Sequence, residues 1–151
     1  AYADTYPNNR GITRDMFADN EAFQDELTTY FKGQLASPSV SLYMAKQDGT
    51  IKGTIGVRPT EDPSVVELWG FYVAKEFHGS GLAHQLYNLA LGSDQVYSAK
   101  KVQLTVAKDA KRAKAFYEKQ GFVVLGDEDW DWPHWTKERP HNQYWLMVKQ
   151  L

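Results

Sequence analysis

The sequence predicts one α+β domain that spans residues 1–151. Its apolar residues recur first at helical spacing and then at every second position, as expected for a helix followed by strands. The predicted order is helix, three strands, helix, strand, helix and two strands. No repeat, linker or low-complexity segment divides the chain, and this length suffices to bury roughly two-thirds of the unfolded surface in one core.

The first predicted element is a helix over residues 12–35. Its second half carries one apolar stripe at positions i, i+4, i+7 and i+8, formed by Phe23, Leu27, Tyr30 and Phe31. Asp19 or Asn20 is expected to cap this second half, and Gly33 with Pro38 marks the end of the helix.

Three strands are predicted next. Residues 40–44 and 51–57 alternate in polarity on either side of Asp48-Gly49, a dipeptide typical of a hairpin turn. Residues 65–74 are β-branched and aromatic, and Gly70 within them predicts a β-bulge.

The second half of the chain predicts two helices and three strands. Leucines recur at helical spacing from Leu82 onward, and residues 110–120 form a second helix that Gly121 closes. The strands are predicted at 102–106, 122–125 and 143–148.

Composition excludes several classes of protein. The chain has no cysteine, which excludes disulfides, thiolate metal sites and a cysteine nucleophile. A net charge of −2 argues against nucleic-acid binding, which usually needs a clustered basic face. No apolar run approaches the roughly 20 residues of a membrane helix, and no secretory signal is visible, so a cytoplasmic protein is expected. His134 and His141 lack metal-ligand spacing, and no metal site is predicted.

The segment 65–83 runs from a strand through a glycine-bearing loop into a helix. A helix N-terminus carries unpaired N–H groups and a positive dipole end, which favour an anion such as a pyrophosphate. Gly79 and Gly81 would let a phosphate approach the backbone. A tight strand-to-helix turn without a ligand is the alternative. Neither the P-loop pattern nor the Rossmann glycine fingerprint is present.

This loop resembles motif A of the GNAT superfamily of N-acetyltransferases, which reads Q/R-x-x-G-x-G/A. The matching residues are His78, Gly79, Ser80, Gly81, Leu82 and Ala83. Residues 112–122 are similar to motif B, with its A-x-x-F-Y-E-K-x-G-F pattern, and residues 146–151 are similar to the closing strand. Tyr2 to Tyr6 and the helical stretch after them are similar to the first helix region of bacterial members.

The resemblance implies a fold and an activity. The GNAT fold has a mixed, mostly antiparallel twisted sheet flanked by helices, with two parallel strands that splay apart to form a CoA cleft; here these would be 65–74 and 102–106. Backbone groups of Tyr72 and Val73 would bind the pantetheine arm, and residues 78–83 would hold the pyrophosphate. The implied reaction transfers an acetyl group from acetyl-CoA to a primary amine in a ternary complex.

Two residues are candidates for proton transfer by the same resemblance. Tyr117 matches the tyrosine that protonates the leaving thiolate, with a core aromatic as the alternative. Glu67 stands where several members place a catalytic glutamate that draws a proton from the amine, with a solvated surface carboxylate as the alternative. A base is useful because an amine with a pKa of about 10.4 is mostly protonated at neutral pH.

The sequence departs from the family pattern at three places. His78 replaces the usual Gln or Arg, Ala110 replaces a frequent Asn, and the usual first strand is not visible. The first two departures support an alternative function, a non-catalytic acyl-CoA-binding regulatory module.

The acceptor substrate is expected to be a small-molecule or peptide amine whose identity the sequence does not give. The family members that this chain most resembles are bacterial enzymes of the polyamine type. The oligomeric state is left open, with a homodimer as one alternative. The loop 127–135 mixes carboxylates with tryptophans. It could recognise a cationic amine or be a solvated acidic loop. The basic residues of 108–114 could meet CoA phosphates or form a solvated helix face.

Overall fold

The computed structural model describes residues 12–151 and shows a mixed α+β fold with a six-stranded sheet flanked by helices. The expected resemblance of Tyr2 to Tyr6 lies outside the described residues. The strands are β1 (Ser41–Gln47), β2 (Thr50–Pro59), β3 (Val65–Val73), β4 (Lys101–Ala107), β5 (Val123–Asp129) and β6 (Gln143–Gln150). The helices are α1 (Glu21–Leu35), α2 (Leu82–Leu91), α3 (Asp94–Tyr97) and α4 (Lys111–Lys119), with one 3₁₀ turn at Lys75–Phe77.

The strand order in the sheet is β1-β2-β3-β4-β6-β5. Strands β1, β2 and β3 form an antiparallel meander, and β5 pairs antiparallel with β6. Strand β3 pairs in parallel with β4 from Val65↔Lys101 to Glu67↔Gln103, while β3 itself continues to Val73. The mixed, mostly antiparallel sheet predicted from the sequence is therefore confirmed.

The described chain divides into two compact units. The first contains residues 34–103 and 150–151, and the second contains residues 12–33 and 104–149.

In the first unit, glycines allow close packing around β2. A Cβ atom on Gly56 would lie 2.2 Å from Nε1 of Trp69, its cross-strand neighbour on β3. A Cβ atom on Gly53 would lie 2.7 Å from Cδ1 of Leu86 on α2. Only glycine permits this approach, so these two positions set how closely the indole and the helix pack against the strand.

In the second unit, an aromatic cluster forms part of the core. Its buried members are Ile12, Phe17, Phe23 and Trp135, with Met16, Leu27 and Trp132 packed against them. The Phe23 and Trp135 rings lie 4.7 Å apart between centroids. The apolar stripe predicted on the first helix thus packs against the tryptophan-rich loop.

The first helix begins later than predicted. Residues 14–19 form turns, and α1 starts at Glu21 rather than near Ile12. Asn20 is the reason, because its Oδ1 accepts a hydrogen bond from the Phe23 amide at 3.1 Å and so caps the helix. Of the two predicted capping residues, Asp19 and Asn20, the structure confirms Asn20. The helix predicted over residues 12–20 is wrong.

The other expectations agree with the structure except in small details. The hairpin turns at Asp48 and Gly49, both with positive φ (50° and 74°). Gly70 has φ 57°, and the β2–β3 register shifts beside it, which confirms the predicted bulge. The one-turn helix α3 was not predicted. Among the residues described, no helix is long and apolar enough to cross a membrane.

Candidate functional site

The candidate phosphate loop lies between β3 and α2. The 3₁₀ turn Lys75–Phe77 follows the strand, and Gly79 and Gly81 then adopt φ values of +79° and +89°. A Cβ atom at either glycine would meet nothing within 4 Å. These positions therefore need glycine because of their left-handed backbone rather than because of crowding, and they leave open space beside the loop.

The loop has backbone donors without acceptors. The amide of Ser80 donates to the Phe77 carbonyl at 3.1 Å, and the amide of Leu82 donates to Ser80 Oγ at 3.3 Å. Within residues 12–151, the amides of Gly79, Gly81 and Ala83 have no hydrogen-bond acceptor. Unpaired amides at a helix N-terminus are suited to an anion.

His78 links the loop to the end of β3. Its Nε2 atom lies 3.0 Å from the carbonyl oxygen of Val73. Because a carbonyl only accepts, Nε2 carries the proton of this hydrogen bond. One lone pair of the Val73 carbonyl oxygen therefore already accepts a hydrogen bond from His78. Val73 is a residue whose backbone is predicted to bind pantetheine. The predicted ligand role of Val73 stays a prediction.

The bulge positions the last residues of β3. Gly70 has positive φ, and its carbonyl accepts a hydrogen bond from Oγ1 of Thr54 at 2.7 Å. After the bulge, Tyr72 pairs with Thr54 and its side chain is buried. The role predicted for its backbone groups remains a prediction.

Glu67 lies on β3 directly opposite Arg58 on β2. Its Oε2 atom accepts a hydrogen bond from Arg58 Nε at 3.0 Å, and its side chain is 17% exposed. Arg58 is held further by Oε1 of Gln34 at 2.9 Å and lies 5.7 Å from the centre of the Trp69 ring. Within the described chain, Oε1 of Glu67 has no hydrogen-bond partner. The carboxylate is therefore fixed in position with one oxygen available, unlike a freely solvated surface group.

Tyr117 lies at the end of α4 in a Schellman motif. The Phe122 amide donates to the Tyr117 carbonyl at 3.0 Å, and the Gly121 amide donates to the Glu118 carbonyl at 3.0 Å. Gly121 has φ +90°, as this motif requires. The Tyr117 ring packs edge-on against Phe122, 5.7 Å between centroids, and the residue is 8% exposed. Its ring is thus a core aromatic, and its proposed acid role concerns the hydroxyl alone.

The acidic residues of the loop 127–135 are mostly paired with bases. Asp129 lies 3.3 Å from Arg139, and Asp131 lies 2.6 Å from Lys137. Hydrogen bonds from Lys108 and Lys137 lower the pKa of Asp127 and Asp131, respectively, below the usual value. These contacts favour a solvated, internally paired loop over a set of carboxylates kept for a cationic ligand.

The basic residues of 108–114 are partly engaged as well. Lys108 Nζ lies 2.5 Å from Asp127 and 4.1 Å above the Trp145 ring, while Lys114 pairs with Glu118 one turn along the helix. These two lysines therefore form ion pairs within the protein, which favours a structural role over binding of CoA phosphates.

The structure also brings together polar residues that the sequence did not associate. His141 Nδ1 lies 2.6 Å from Oδ2 of Asp109, and both side chains are largely buried. Glu26 lies 3.3 Å from Nδ1 of His134. Both pairs join residues far apart in the chain, so no local spacing signals them. No group of three or more metal-binding side chains occurs in the part of the chain that is described.

Comparisons with known proteins point to one family. A family model described as the acetyltransferase (GNAT) family matches residues 7–122. An uncharacterized N-acetyltransferase in the pepI 3′ region of Lactobacillus delbrueckii subsp. lactis is 28% identical over 142 residues, covering 84% of this chain and 79% of the relative.

Solved structures share the fold. A GNAT family acetyltransferase from Elizabethkingia anophelis with acetyl-CoA bound is 22% identical, covers 82% of each chain and has a TM-score of 0.66. A spermidine N-acetyltransferase chimera from Vibrio cholerae and hSSAT is 21% identical, with 83% of this chain and 75% of that chain covered and a TM-score of 0.62. At these identities the likeness establishes the fold.

Proposed function

The chain belongs to the GNAT acetyltransferase family, and we propose that it transfers the acetyl group of acetyl-CoA to a primary amine by direct attack in a ternary complex. The observation that carries the proposal is the loop between β3 and α2. Its amides at Gly79, Gly81 and Ala83 have no acceptor among residues 12–151, and an anionic pyrophosphate would supply one.

In this reaction the amine nitrogen attacks the thioester carbonyl carbon, and the carbon–sulfur bond breaks. The ammonium nitrogen loses one proton before the attack, and the nitrogen of the tetrahedral intermediate loses a second as the amide forms, while the departing thiolate takes up one, so that one proton is released overall. We assign the removal of the first proton to Glu67, directly or through water. We assign the protonation of the thiolate to the hydroxyl of Tyr117, which the second proton of the nitrogen restores. A phenol with a pKa of about 10 is still protonated at neutral pH, so it can donate to the thiolate.

For the acceptor we propose a small amine of the polyamine type. Support comes from the resemblance of the closing strand and the N-terminal pattern to such members, and from the spermidine N-acetyltransferase chimera among proteins of this fold. The chain's family membership supports an amine acceptor in general.

The test is a thiol-release assay with acetyl-CoA against a panel of polyamines, amino acids and peptide amines, combined with calorimetric titration of CoA. We expect CoA to bind, with an acetyl-CoA KM between about 1 μM and 1 mM, and at least one amine to release thiol. Binding without release for every amine would instead identify an acyl-CoA-binding module, and absence of binding would contradict the proposal.

A variant tests the loop itself. Gly81→Leu places a bulky side chain in the open space beside the amides and imposes a left-handed backbone on a residue that resists it. We expect CoA binding to weaken strongly. Unchanged CoA affinity in a folded Gly81→Leu protein would remove the loop from the binding site.

A further inference from the structure

Strand β5, in the second unit, forms one edge of the sheet and exposes apolar side chains along its first half. It is the last strand in the sheet order, with β6 as its neighbour. Val123, Val124 and Leu125 are 62%, 41% and 67% exposed. Elsewhere among the described residues, large exposed apolar side chains occur only singly along the chain. A run of three on an edge strand indicates a surface that another protein covers, because such edges readily pair with further strands.

Both faces of β5 are open at this run of residues. Successive side chains of a strand point to opposite faces, so three exposed neighbours mean that the described chain covers neither face. The β5–β6 register shifts between Val124 and Gly126, and Leu125 bulges from the ladder. The outer edge of a terminal strand also presents backbone N–H and C=O groups that its one neighbour cannot pair. An added strand would cover the side chains and pair the backbone together.

The two ends of β5 carry opposite charges. Residues 127–129 at its end are all acidic, and Asp127 and Asp129 pair with Lys108 and Arg139 of the same chain. Between them, Glu128 is exposed and has no hydrogen bond or ion pair from its side chain within residues 12–151. Before the start of β5, the last residue of α4 is Lys119, which is exposed and equally unpaired among those residues. Each end of the strand therefore offers one charge for a partner.

We propose that β5 is the docking surface for a second copy of this chain, with the two β5 strands antiparallel about a two-fold axis near Val124. Antiparallel pairing sets the apolar run of one copy against that of the other. It also brings the acidic end of each strand toward the basic start of the other, with Glu128 near Lys119 of the second copy. Parallel pairing would instead place residues 127–129 of both copies side by side, where like charges repel. A two-fold contact closes on itself, as in most homo-oligomers.

The first experiment measures the Kd of the dimer by sedimentation equilibrium across a dilution series. Leu125→Lys places a charge in the apolar contact of each copy, and we expect the Kd to rise at least about tenfold. Leu89→Lys, at an apolar residue of α2 that is 53% exposed, is the matched control and should leave the Kd within about twofold. A thermal melt checks that both variants fold. A wild-type protein that is monomeric at every concentration, or a dimer that Leu125→Lys leaves intact, would overturn the proposal.

Charge reversal tests the antiparallel orientation, and it decides the matter if Leu125→Lys fails to fold. Lys119→Glu and Glu128→Lys should each raise the dimer Kd about two- to tenfold, because the two-fold axis repeats each exposed pair. The double variant restores opposite charges at both ends of the contact, so its Kd should return to within about twofold of wild type. Losses that add in the double variant instead of cancelling would exclude this orientation.

A single cysteine tests the position of the axis. The chain has no cysteine of its own, so the thiol of Val124→Cys can be cross-linked only to that of another copy. Opposed Cβ atoms of antiparallel strands lie about 5 Å apart, and a short bis-maleimide should therefore give a covalent dimer quickly. Tyr97→Cys, at a residue that is 92% exposed, is the control and should react only through slow collisions. Equal rates for the two variants would overturn the β5 contact.

This inference goes beyond acetyl transfer, because none of its measurements uses acetyl-CoA or an amine. A monomeric protein could still release thiol, and a dimer through β5 could form in a chain that releases none. The failure of the dimer and the failure of the proposed activity are therefore distinguishable.

Discussion

The imidazole of His78 donates a hydrogen bond from Nε2 to the carbonyl oxygen of Val73, with the two atoms 3.0 Å apart. The bond closes the segment 73–78 into a ring, so that the start of the glycine loop is tied to the end of β3. The residue that departs from the family pattern is therefore oriented toward its own strand. Through this bond His78 positions the loop, and the phosphate contact predicted for His78 remains a prediction.

This relationship predicts the effect of His78→Ala. Removing the ring releases the loop from β3, and CoA affinity should fall by about two- to tenfold, the range of one net hydrogen bond. Calorimetric titration measures the effect, and His84→Ala, in the first turn of α2, is the control. A Kd for His78→Ala that matches the control would show that the loop needs no such tie.

A second prediction concerns Gly56. A methyl group there would lie 2.2 Å from Nε1 of the buried Trp69 ring, so Gly56→Ala must displace the indole or the strand. We expect a loss of about 1–3 kcal/mol in the free energy of unfolding, as for other overpacked cores. Urea denaturation provides the value. Gly126→Ala, where a Cβ atom meets nothing within 4 Å, should change stability far less.

The third prediction isolates the hydroxyl of Tyr117. Tyr117→Phe retains the ring contact with Phe122 and the backbone hydrogen bonds of the Schellman motif. Stability and CoA affinity should therefore be nearly unchanged, whereas kcat should fall by about 10²- to 10⁴-fold if a general acid is lost. A kcat within twofold of wild type would leave Tyr117 with its packing role only.

Much of the fold was predictable because its signals are local. Asp48-Gly49 fixes a hairpin, Gly70 marks a bulge, and Gly121 ends α4, since each needs a backbone conformation that few residues adopt. The helix boundary was missed because residues before Asn20 carry apolar side chains such as Ile12 and Phe17, which are buried without being helical. Over so few residues, a buried turn and a helix show the same spacing of apolar side chains.

The site was predictable only in part. Motif spacing nominates the loop, Glu67 and Tyr117 as site residues, and these roles remain predictions. The contacts that each side chain makes depend on the tertiary structure and could not be predicted. The Arg58–Glu67 pair follows from the β2–β3 register, and the Glu26–His134 contact joins residues 108 positions apart. Such contacts carry no signature in a single sequence, because charged residues on helices and loops are ordinarily solvated.

The last prediction concerns Glu67 and its ion pair with Arg58. If Glu67 accepts the proton of the incoming ammonium, Glu67→Gln should depress kcat/KM most at low pH, where little free amine is present, and much less near pH 10. Arg58→Gln is the matched control, because it also breaks the pair but keeps the carboxylate, so its pH profile should keep the wild-type shape. A misfolded variant would lose activity equally at every pH. Parallel profiles for Glu67→Gln and wild type between pH 6 and 10 would show that the ammonium proton leaves by another route. The Glu67 carboxylate would then serve only in the ion pair with Arg58 between β2 and β3.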